Sequence, residues 1–83
     1  MADDIPGAVV KILELVGSSD RSFSDAARNA VSVAARSVRN IKGVEVLGTT
    51  AEVVDGAITV YKAHCKIAFV VEAGAAAEAG EGG

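Results

Sequence analysis

Asp55-Gly56 divides the second half of the chain into two strand-like runs, and no other pair of residues constrains the fold as much. Two-residue hairpin loops favour type I′ turns, which need positive φ at both central positions, and Asp-Gly suits that geometry. After the turn the alternation is regular: Tyr61, Ala63, Cys65, Ile67, Phe69 and Val71 point one way, Lys62, His64 and Lys66 the other. Before it, Val44, Val46, Val53 and Val54 are apolar, while Gly48, Thr49 and Thr50 loosen the pattern and predict a bulge or bend near Gly48. A hairpin joins antiparallel neighbours, so the sheet is at least partly antiparallel.

Upstream, Val9 to Val16 is a mostly apolar, β-branched run interrupted by Lys11 and Glu14. It reads as a strand that Gly17 ends, with Gly17-Ser18-Ser19-Asp20 as the turn into a helix. Ser22 is suited to cap that helix, and Asp25 three residues on completes an acidic variant of the capping box. Phe23, Ala26, Ala27, Ala30, Val31, Ala34 and Val38 recur at spacings of three and four, giving one alanine-rich apolar stripe. Ser24, Asp25, Arg28, Ser32, Arg36 and Arg39 fall toward the other side, and late arginines suit the negative end of the helix dipole. The pattern predicts a helix over residues 22–39, interrupted finally by Lys42-Gly43. The expected class is α+β, in the order strand, helix, strand, strand. One helix covers one face of a three-stranded sheet; the bare face, with Val60 among polar residues, is a natural surface for subunit contacts.

The expected domain is 9–72. Residues 1–8 read as a loose lead-in, and 73–83, holding only Ala, Gly and Glu, as a flexible acidic tail. A chain of 83 residues makes one small domain, whose core alone rarely supplies more than ~3–5 kcal/mol. The single cysteine, Cys65, excludes an internal disulfide, and one Cys with one His cannot close a tetrahedral zinc site. Homo-oligomerisation is left as the source of extra burial. The net charge of -3 argues against nucleic acid as a partner, and the chain has no apolar run long enough to span a membrane. A cytoplasmic location is the expectation.

Chemistry-bearing residues are sparse. His64 is the only imidazole, lies between Lys62 and Lys66 on the polar side of a strand, and has no carboxylate or cysteine at ligand spacing, so a solvated or interface position is expected. Cys65 falls on the apolar side of that strand and reads as a buried structural thiol. Gly17-Ser18-Ser19 before a helix N-terminus can in principle cradle an anion, helped by Arg21, but Asp20 and Asp25 oppose it and ordinary capping is expected. Glu14, Glu45, Glu52 and Asp55 can bind Ca or Mg only if several chains share a site, and otherwise are solvated acids. No acid-base pair or nucleophile stands out, so the chain does not read as an enzyme, and its sequence alone assigns no metal ligand.

Several ordered segments are similar to a known family. Val10-Lys11-Ile12-Leu13-Glu14-Leu15-Val16-Gly17-Ser18-Ser19, Ala27-Arg28-Asn29-Ala30-Val31 and Val38-Arg39-Asn40-Ile41 resemble dodecins. So do Val44-Glu45-Val46, Asp55-Gly56 and Lys66-Ile67-Ala68-Phe69-Val70-Val71-Glu72. The resemblance implies a β-α-β-β protomer whose sheet curls around its helix, assembled as a hollow dodecamer. It also implies non-enzymatic storage of FMN or riboflavin. By the resemblance, the flavin pocket falls at Gly43, Val44, Glu45 and Val46, where the family carries Trp-Phe-Glu-Val, and at Lys62, where it carries glutamine after a tyrosine. An arginine-glycine step of the family is Thr50-Ala51 here. The stacking ring and the amide are therefore replaced, a change expected to cost ~3–5 kcal/mol of flavin affinity. Some tryptophan-lacking relatives instead bind divalent cations, so the resemblance also admits a flavin-free Ca or Mg binder or a purely structural cage.

Overall fold

The computed structural model describes residues 9–71; the expected lead-in and tail lie outside the described residues, as does Glu72. The elements are β1 (Val9–Ser19), α1 (Phe23–Ala34), β2 (Ile41–Val54) and β3 (Ala57–Val71). They form the expected α+β fold, with α1 against a three-stranded antiparallel sheet ordered β1-β3-β2. The hairpin sets β3 beside β2, and the crossover through α1 leaves β1 on the other edge of β3. Asp55 (φ 53°) and Gly56 (φ 79°) both adopt the positive φ that the tight turn needs. The irregularity expected near Gly48 is present: Val46 pairs with Cys65 and Gly48 with His64, leaving Leu47 as the extra residue.

Two local expectations are corrected. Gly17 does not end β1, which continues to Ser19. Gly17 instead lies under the helix, where a Cβ would overlap the Ala26 carbonyl oxygen and stand 2.9 Å from the Ala30 Cβ. The glycine is needed for close approach, not for a turn. The helix also stops at Ala34, not at residue 39. The chain tightens there through Arg36 N–H to Val33 O (3.0 Å) and Ser37 N–H to Ala34 O (2.9 Å). Asn40 then takes a left-handed φ of 63°, and its carbonyl accepts the Val70 amide at 3.0 Å. Ser37, Val38 and Asn40 are weak helix formers, and this reversal overrides the apolar period. Arg36 and Arg39 thus lie beyond the last helical turn.

The start of α1 follows expectation with one change. Ser22 Oγ accepts the Asp25 amide at 3.0 Å, as an N-cap should. The Asp25 carboxylate, however, accepts the Ser19 hydroxyl at 2.8 Å. Ser19 Oγ in turn accepts the amides of Arg21 (2.8 Å) and Ser22 (3.4 Å). The amides of Arg21, Ser22 and Asp25 are thus used within the chain, as ordinary capping requires.

The core is thin. Ala26 and Ala30 of α1 pack with Ala63 and Cys65 of β3, with Leu15 and Ala27 against them, and Ala34, Ile67 and Val70 are also buried. The β3 side chains follow the predicted alternation from Tyr61 to Ile67. Phe23 meets Tyr61 edge to face, with ring centroids 4.9 Å apart. The helix covers β1 and β3 but scarcely β2, so Val44, Val46, Val53 and Val54 stay exposed.

Gly17→Ala is expected to destabilise the protein by about 2–3 kcal/mol, because backbone cannot yield as a side chain can; the measurement is the denaturant midpoint. Ser19→Ala is expected to cost about 1–3 kcal/mol and more than Ser22→Ala at about 1 kcal/mol, since Ser19 is nearly buried and serves three partners. Equal midpoints for the two variants would contradict that ranking.

Candidate functional site

Strand pairing arranges the helix-free face of the sheet in cross-strand rows. Ile12, Ala68 and Gly43 form one; Glu14, Lys66 and Glu45 the next; then Val16, His64 and Gly48; then Ser18, Lys62 and Thr50. Side chains in a row share a face, so register alone gathers the charged residues there. Two diagonal side-chain contacts join neighbouring rows. Lys62 Nζ lies 2.7 Å from Glu52 Oε2, and His64 Nε2 lies 3.3 Å from Glu14 Oε2. All four side chains are partly exposed, so each pair contributes at most about 1 kcal/mol.

The first two rows border an open depression of about 270 Å³, lined by Ile12, Gly43, Val44, Glu45, Lys66 and Ala68. Gly43 and Ala68 give it a low floor, and Lys66 and Glu45 put opposite charges on its rim. A larger groove of about 380 Å³ runs between the edge of β1 and α1, with Leu15, Val16, Ala30 and Val33 on its walls. There Asn29 Nδ2 donates to the Ser18 carbonyl at 2.9 Å, which satisfies an edge-strand acceptor. Among the described residues no charged group lines that groove.

Of the five expected pocket residues, Gly43, Val44 and Glu45 line the depression within one chain. Val44 and Val46 pair with Ile67 and Cys65, whose side chains face the helix, so their own side chains belong to the opposite side. Lys62 stands four residues along β3 from Lys66, about 13 Å at strand rise, and its ammonium is engaged by Glu52. Among the described residues beyond its two chain neighbours, no atom lies within 4 Å of the place a Cβ would take on Gly43, so that position is open. These residues do not fit the stacked and amide-bonded flavin cradle that the resemblance implies. Ile12, Lys66 and Ala68 were not expected as lining residues. Their parity along each strand was readable, but the register that joins them was not.

Cys65 is fully buried, and its thiol lies 3.6 Å from the Ala63 carbonyl oxygen. Glu14, Glu45 and Glu52 share the open face, but among the described residues no three His, Cys, Asp or Glu side chains gather closely enough to hold a metal ion. Among the described residues, no helix is long and apolar enough to cross a membrane.

The chain is similar in structure to dodecin from Streptomyces coelicolor, with a TM-score of 0.79 and 26% identity over 82% of this chain and 97% of that one. A Thermus thermophilus protein superimposes with a TM-score of 0.76 at 26% identity, covering 80% and 97%. Calcium dodecin from Mycobacterium tuberculosis, a calcium-chelating immunodominant antigen with a novel calcium-binding site, matches at 29% identity and a TM-score of 0.68, covering 77% and 91%. No curated protein matches the chain. The dodecin family model matches residues 9–72, the strands, the helix and their connections together, and the chain belongs to the dodecin family.

Proposed function

We propose that this chain is a non-enzymatic, cytoplasmic binding and storage protein that works as a hollow homododecamer, and that its affinity for flavin is two to four decades below that of a member with the stacking ring and the amide. Membership of the dodecin family supports the class of function. The observation that carries the weakened affinity is Gly43, which opens onto empty space where an aromatic ring is required. Stacking on an aromatic is worth ~1–3 kcal/mol per nucleobase, and an isoalloxazine ring loses at least as much. Lys62 adds to the loss, because an ammonium has only donors to offer the ring edge and Glu52 already holds it. The exposed Val44, Val46, Val53 and Val54 support assembly, since one chain does not cover them.

A second reading keeps the shell and replaces the ligand. Glu14, Glu45 and Glu52 lie on one face, and a relative 29% identical chelates calcium. Carboxylates of several chains around a symmetry axis would supply the oxygen ligands that Ca or Mg needs.

Quenching of riboflavin and FMN fluorescence tests the first reading. The native protein is expected to show no saturation at micromolar concentration, and Gly43→Trp is expected to gain about one to two decades in affinity. Tight saturable quenching by the native protein would contradict it. The second reading predicts saturable heat on calorimetric titration with Ca²⁺ or Mg²⁺; flat titrations with both would leave a structural cage.

A further inference from the structure

The sequence gives His64 no metal-ligating partner in its own strand, but the sheet gives it one from β1. Register places Val16 opposite His64 and Glu14 opposite Lys66. Glu14 reaches diagonally, which brings its Oε2 to 3.3 Å from His64 Nε2. Two donors at that separation subtend about 105° at an ion held ~2.0–2.1 Å from each, close to the tetrahedral angle. Both side chains are about half exposed, at 48% for His64 and 53% for Glu14, so an ion reaches them with no buried charge to desolvate. Their backbones are fixed by the β1–β3 ladder, which limits the entropy lost on chelation.

We propose that Glu14 and His64 form a two-donor site for a borderline divalent transition metal ion, Zn²⁺, with the remaining positions taken by water or by the same pair from a second copy. An imidazole donor selects such ions over Ca²⁺ and Mg²⁺, which prefer all-oxygen sets. The neighbouring cations do not prevent it. Glu52 holds the Lys62 ammonium at 2.7 Å, and Lys66 lies in register between two carboxylates, Glu14 and Glu45. The three acids Glu14, Glu45 and Glu52 outnumber the two lysines on this face. The site is independent of flavin binding; it shares Glu14 with the all-carboxylate calcium reading, so the two occupants exclude each other there, and it differs in requiring the imidazole.

The test is calorimetric titration of the full-length assembled protein with Zn²⁺, alone and in excess Ca²⁺. The expected result is saturable binding in the micromolar range, at one ion per chain or one per two chains, unchanged by Ca²⁺. His64→Ala is expected to weaken it by about tenfold or more and Glu14→Gln by a smaller factor. Because both side chains are partly exposed, the variants should keep the far-ultraviolet circular dichroism and the assembled mass of the native protein. A second measurement is Co²⁺ absorption, which should show the intense visible bands of a tetrahedral ion in the native protein and lose them in His64→Ala. Zn²⁺ affinity unchanged in either variant, competition by Ca²⁺, or failure to saturate at about a hundred times micromolar Kd would overturn the proposal.

Discussion

Everything else in this fold is arranged around the close seat of α1 on the sheet at Gly17. The helix approaches until the Ala26 carbonyl and Ala30 leave no room for a Cβ on β1, and Ala26, Ala30 and Ala34 make its buried surface. Such a seam packs densely but buries little area, because alanine and glycine have little to bury. The largest side chains fully buried are Ile67 and Cys65. A helix held this tightly over β1 and β3 also leaves β2 uncovered, so one contact explains both the thin core and the exposed valines of the hairpin.

The parts of the fold that were legible in the sequence are those fixed by local stereochemistry. Asp55-Gly56 specified its turn because few residues accept positive φ in succession, and Ser22 specified the helix start because its hydroxyl meets the Asp25 amide. Gly17 was misread for a physical reason: a glycine that ends a strand and one that admits a helix look alike until the partner is in place. The helix end was misread because Val38 keeps the apolar period while the left-handed Asn40 turns the backbone away. Ser19 drew Asp25 from the reciprocal capping bond through a contact six residues long, which a three-residue motif does not encode.

The same limit applies to the site. Alternation sorted Lys62, His64 and Lys66 onto one face, but pairing across strands decides which acids meet them, and pairing was not readable. Register brings Glu14 to His64 and Glu52 to Lys62, and sets Gly43 beside Ala68 and Ile12. Replacing an aromatic ring by glycine at 43 therefore does more than remove one contact. It exposes a low floor with an ion on either side, a surface of different chemistry on a fold that family membership shows to be retained. Retention of the family fold with glycine at 43 fits a protein in which the fold and the chemistry of the open face depend on separate residues.

The central claim is that one chain is an incomplete unit, whose uncovered β2 valines are buried by further copies. Native mass spectrometry at micromolar concentration, with light scattering in the same buffer, tests it most directly. The account predicts one dominant species at twelve times the mass of a single chain, with no folded monomer on dilution. A stable, folded monomer at micromolar concentration would contradict it and would show that the seam at Gly17 sustains the fold alone.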